Sequence, residues 1–241
     1  MRYQTRSKSY KEKCIVLVVV VLILLSVLFG PSLWVSYVLR KYSRDPETNF
    51  PGTGGELARH LLDRFNLHDV KVVVTESGDH YNPIDRSVAL TQDKYDGKSL
   101  AAIVIAAHEC GHAIQHARKE PLFLLRHRLA QSAQGAQIIG SALLAASPLI
   151  GGLAMSPHLS LLSLTGASMI LGYGVVVQLA TLPVEFDASF KKALPLLSTG
   201  YVSEHQLAPS KTILKAAALT YLAGTLLQLL NFWRWISVLR R

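Results

Sequence analysis

The stretch SLAAIVIAAHECGHAIQHA, running from Ser99 to Ala117, decides how the rest of the chain is read. Its apolar run from Ala101 to Ala107 predicts a buried helix, with the residues that follow at the rim of a core. Residues four apart on a helix stack on one face. His108 and His112 therefore offer two imidazoles to a single metal ion. Glu109 lies one step round, beside such a metal rather than on it, where a base can take a proton from a metal-activated water. The competing reading is a chance match on a buried helix, which the apolar context disfavours. Cys110 points to a different side from both histidines. Gly111 costs about 1 kcal/mol relative to alanine inside a helix, so something is expected to pack close against it. His116 continues the histidine face, but about one turn and roughly 6 Å further on. No breaker in Ile114-Gln115-His116-Ala117 could swing it back, so it is expected behind the ligands or at the surface.

The chain has 241 residues, half of them hydrophobic, and the apolar residues are unevenly spread. Residues 14–37 form a nearly uncharged run long enough to cross a bilayer, without the small-residue cleavage site of a secretory signal. It is read as a retained anchor behind a disordered basic tail, residues 1–13. Residues 137–155 and 159–182 are two charge-free runs, and residues 216–238 a fourth, with Trp233 and Trp235 near its end. A buried hairpin in a soluble protein is the alternative for the middle pair; their length favours membrane spans.

The net charge of +9 fits a membrane protein. Basic residues, Arg118, Lys119, Arg126 and Arg128 among them, cluster beside the spans and suit anionic lipid headgroups. No nucleic-acid motif accompanies them. Cys14 and Cys110 imply no disulfide framework.

Between the first span and the histidine helix, residues 45–55 are linker-like. A helix is expected over residues 56–65, capped by Thr53 with Glu56 as its capping-box partner. Residues 69–75 and 87–91 read as two strands, joined by a connector full of turn formers. These elements predict a small α+β core over residues 45–134, in which one of the two strands would take an extended peptide as an added strand. Asp79, His80 and Tyr81 are either an ordinary polar turn, or His80 or Tyr81 reaches the cleft and donates to a transition-state oxyanion. Residues 122–134 look like a partly amphipathic helix lying against the membrane.

A catalytic zinc takes three protein ligands and leaves a position for water. Downstream, Pro183 can start a helix that carries Glu185 and Asp187 in its first turn. Acids favour a helix N-terminus for dipole reasons alone. With two imidazoles in place, though, a carboxylate here is the leading third ligand. Glu204 and His205 are weaker candidates.

The chain resembles the membrane neutral zinc metallopeptidases called YugP-like. The matching residues are Gly78-Asp79-His80-Tyr81-Asn82-Pro83, Ala107-His108-Glu109-Cys110-Gly111-His112-Ala113-Ile114-Gln115, Thr181-Leu182-Pro183-Val184-Glu185-Phe186-Asp187-Ala188-Ser189 and Ala216-Ala217-Ala218-Leu219-Thr220-Tyr221. It is also similar, more distantly, to the heat-shock-type membrane metallopeptidases, whose third zinc ligand is a downstream glutamate, usually followed by an aspartate four residues on. Here Asp187 follows Glu185 by two.

The resemblance implies a zinc endopeptidase of the zincin or gluzincin type. One zinc ion per chain would be held by His108, His112 and Glu185, with Glu109 as general base and Asp187 orienting a ligand. The fold expected is mainly α and multi-pass, with about four transmembrane helices around a small α+β core. Its divisions are a basic tail (1–13), an anchor (14–37), the catalytic core (45–134), a transmembrane hairpin (135–182), the third-ligand segment (183–212) and a last span (213–238). The expected partners are a protein or peptide substrate and the lipid bilayer, with no nucleic acid. The expected location is the bacterial cytoplasmic membrane. The alternative is a membrane scaffold or chaperone with a non-catalytic zinc site, against which an intact Glu109 argues. Two spans between His112 and Glu185 place both on one membrane side, and the charge beside the spans leans towards the cytoplasm.

Overall fold

The computed structural model describes residues 2–44, 50–153 and 156–239, without the side chains of 2–14, 151, 153, 157, 171, 225 and 227–239. Part of the expected linker (45–49) and the end of the second expected span (154–155) thus lie outside the described residues. Helix α1 (Arg2–Ser43) already begins in the basic segment, so that segment extends the helix instead of forming a separate tail. Nothing in it breaks a helix; the first proline is Pro31, in the apolar stretch.

Helix α2 (Gly54–Arg64) starts at the expected capping box: the Thr53 side chain accepts from the Glu56 N–H, and the Glu56 carboxylate accepts from the Thr53 N–H. Strands β1 (Lys71–Val74), β2 (His80–Asn82) and β3 (Ser87–Leu90) form one sheet in the order β1-β3-β2. The sequence suggested only two strands. The third is three residues long and sits among turn formers: Asn82 Oδ1 accepts from the Ile84 and Asp85 N–H groups, folding β2 back antiparallel on β3. β1 runs parallel to β3. The middle strand β3 is buried throughout, which leaves β1 and β2 as the free edges.

After the short α3 (Gln92–Tyr95), helix α4 (Leu100–Ala117) runs through the centre of the molecule. Ser99 caps it by accepting from the Ala102 N–H, and every residue from Leu100 to Gln115 is buried.

Helix α5 (Pro121–Leu153) packs lengthwise on α6 (Pro157–Phe186) as a hairpin. The expected interfacial helix over 122–134 is not separate. Nothing between Leu122 and Pro148 interrupts the helix, so it runs straight into the second expected span. Pro183 likewise does not start a helix but lies inside α6. A π-helical segment, Asp187–Ala193, continues directly from α6, followed by α7 (Leu194–Leu196) and a second π-helical segment, Leu197–Tyr201. Helix α8 (Glu204–Leu239) then packs against α1, α4 and α6.

Among the described residues, three helical stretches are long and apolar enough to cross a membrane: Ile15–Ser43, Pro121–Ile150 and His158–Tyr201. They expose large apolar side chains such as Leu17, Ile138 and Met169, as lipid-facing helices would. The expected fourth span falls on α8, whose side chains beyond Leu226 lie outside the described residues.

Candidate metal centre

The site forms where α4 and the end of α6 run antiparallel. A Cβ on Gly111 would lie 2.8 Å from the Ala188 carbonyl oxygen, so the two backbones touch at the one residue that permits it. This close approach is the one anticipated for Gly111. Flanking this contact, side chains meet in pairs one turn apart along each helix: His112 faces Glu185, and His108 faces Ser189.

Glu185 Oε2 lies 3.1 Å from His112 Nε2 and 3.6 Å from His108 Nε2. All three side chains are buried, and their donor atoms lie within 4.8 Å of one another. Zinc bound tetrahedrally at about 2.0–2.1 Å holds its ligand atoms roughly 3.3 Å apart. The two distances from Glu185 to the imidazoles bracket that value, and two imidazoles with a carboxylate are a zinc donor set. The residues present fit the ion.

The hydrogen bonds behind the ligands fix both imidazoles in one tautomer. Ser189 Oγ donates to the Leu214 carbonyl, so it can only accept from His108 Nδ1–H, 3.0 Å away. Gln115 Nε2 donates to the Val184 carbonyl and to Asp187, leaving its Oε1 to accept from His112 Nδ1–H at 2.9 Å. Both Nε2 lone pairs are thereby turned toward Glu185 Oε2. Burial disfavours the charged form of His108, but a hydrogen bond donated to the Glu185 carboxylate and the charges of Glu109 and Glu185 outweigh it and raise its pKa.

Glu109 is buried beside His108, as the helix spacing predicts. Asp187 meets Gln115 and Lys192 rather than an imidazole, so its reach to His112 passes through the Gln115 amide. Cys110 faces away, toward the Ala58 carbonyl of α2, and burial pushes its thiol pKa up. His116 stacks on Phe123 and pairs with the Tyr81 hydroxyl at 2.9 Å. His80 bonds the Gly78 carbonyl within the turn, and Asp79 accepts from the N–H and hydroxyl of Thr91, just beyond β3. Glu204 and His205 begin α8, away from this group, with His205 against Ser203.

Gln115, Ser189 and Arg126 were not singled out from the sequence as site residues. Gln115 follows His112 by three and Ser189 follows Glu185 by four, so each shares a helix face with a ligand. Arg126, expected among lipid headgroups, instead places Nη2 2.7 Å from Glu185 Oε1.

Residues 15–240 match the model of a family described as "Putative neutral zinc metallopeptidase". The chain belongs to this family. It is 34% identical over 216 residues to a Bacillus subtilis (strain 168) protein named "Putative membrane protease YugP", covering 87% of this chain and 92% of that one. No solved structure matches the chain. The family's zinc finds its candidate donors here in His108, His112 and Glu185.

Proposed function

We propose that the protein is a membrane-embedded zinc endopeptidase that cuts membrane or membrane-proximal proteins. The observation that carries this is the convergence of His108 Nε2, His112 Nε2 and Glu185 Oε2, each imidazole already committed through Nδ1. When bound, zinc would bring the pKa of a water in its open position towards neutrality and polarise the scissile carbonyl. Glu109 accepts the proton as water attacks and passes it to the leaving amine. Asp187 orients His112 through Gln115, and Ser189 orients His108.

Of the two free sheet edges, β2 is the one beside the site, because Tyr81 meets His116 one turn beyond His112. An extended substrate would add along β2, its backbone supplying affinity. This revises the expectation that β3 was a candidate, since β3 lies between β1 and β2. Helices α5 and α6 leave and return to the site as a transmembrane hairpin in the cytoplasmic membrane, with the catalytic side towards the cytoplasm.

The test is the metal content of the purified full-length protein beside a His112→Ala variant. One zinc per wild-type chain, lost in the variant, is expected. Equal zinc in both would overturn the ligand set.

A further inference from the structure

Among the described residues, the zinc reading leaves a charged side chain in contact with Glu185 without a task. Arg126 lies on the apolar helix α5, within the stretch Pro121–Ile150 that is long enough to cross a membrane. Charged residues in such segments face the protein interior and mark function. The Arg126 side chain is only 18% exposed, and its guanidinium carbon sits 5.1 Å over the Tyr221 ring of α8. Nη2 lies 2.7 Å from Glu185 Oε1, and Nη1 lies 3.5 Å from His112 Nδ1.

Glu185 divides its two oxygens. Oε2 faces both imidazoles, whereas Oε1 is buried and receives no hydrogen bond among the described residues. The guanidinium at Oε1 is thus a close ion pair without a directed hydrogen bond. A buried carboxylate oxygen needs a compensating charge. If Arg126 did not supply it, the other cation within reach would be the metal, and Glu185 would bind through both oxygens. That would crowd the position a catalytic site keeps open for water.

We propose that Arg126 is a positioning residue that holds Glu185 to one-oxygen coordination and so keeps the fourth position of the zinc open. The Tyr221 ring beneath the guanidinium steers it through a cation–π contact. The proposal rests on the zinc reading above.

Cobalt substitution separates the two. Four-coordinate Co2+ lacks a centre of symmetry and absorbs intensely in the visible, and a fifth ligand weakens and shifts those bands. Full-length protein in detergent, loaded with Co2+, is expected to give the intense four-coordinate spectrum. Arg126→Gln should keep one cobalt per chain, lose band intensity, and lower kcat while leaving KM near its wild-type value. Should that variant not fold, Tyr221→Leu, which removes the ring and no charge, should shift the bands in the same direction by less. Unchanged bands in a folded variant, or loss of bound cobalt from it, would overturn the role of Arg126. A wild-type chain that takes up no cobalt would overturn the zinc reading beneath it as well.

Discussion

The backbone of Gly111 lies against the Ala188 carbonyl so closely that a Cβ there would stand 2.8 Å from that oxygen. The contact sets the spacing between the helix that carries both histidines and the segment that carries Glu185 and Ser189. Alanine would gain about 1 kcal/mol of helix propensity. It would also force the backbones apart, at an overpacking cost of roughly 1–3 kcal/mol. Gly111→Ala should therefore lower thermal stability in detergent and weaken zinc binding together. A variant with both unchanged would show that the close approach does not set the site.

Gln115 is the link between Asp187 and His112. Gln115→Leu fills a similar volume but removes the acceptor from His112 and both donors from Val184 and Asp187. Losing such support typically costs about 10 to 100-fold in metal affinity or activity. Chelator competition should show zinc affinity falling by that order. An unchanged affinity would mean His112 is oriented by something else.

The same geometry ranks the two carboxylates. Glu185 touches both imidazoles, while Asp187 touches Gln115 and Lys192. Glu185→Ala should empty the site, and Asp187→Ala should only weaken it. Zinc analysis of both purified variants checks the order, and a full site in Glu185→Ala beside an empty one in Asp187→Ala would reverse the assignment.

Topology follows from the α5–α6 hairpin, which leaves from His112 and returns to Glu185. If that hairpin spans the membrane, as proposed, exposed Ser77 and Ser203 are expected on one side of it. Cysteines at these positions, in a Cys14→Ala background, should react alike in intact cells, both shielded from an impermeant reagent if the site faces the cytoplasm. Opposite accessibility would break the shared site, and labelling of both would place it outside.

Much of this was legible because it is local. The spacing from His108 to His112, the capping box of Thr53 and Glu56, and the cost of Gly111 each depend on a few consecutive residues. Strand β2 was hidden because three residues among turn formers carry no periodicity; its pairing with β3 defines it. Pro183 misled because proline favours a helix start as well as tolerating a place near the end of an apolar helix, and the chain takes the second course. The π-helical segment leaves no local mark, although it presents Ser189 to His108. Arg126 looked like one more basic residue beside a span, and its partner Glu185 is distant in sequence and adjacent only after α5 and α6 fold back on each other.

The most direct test of the central claim is cleavage of an unstructured protein such as casein by purified wild-type and Glu109→Gln chains, with zinc measured on the same samples. Glu109 is buried beside His108 but is not among the three converging donors. The variant should hold one zinc per chain and cleave several orders of magnitude more slowly. Equal cleavage by the two proteins at equal zinc would contradict Glu109 as the base, and with it the peptidase mechanism built on this helix.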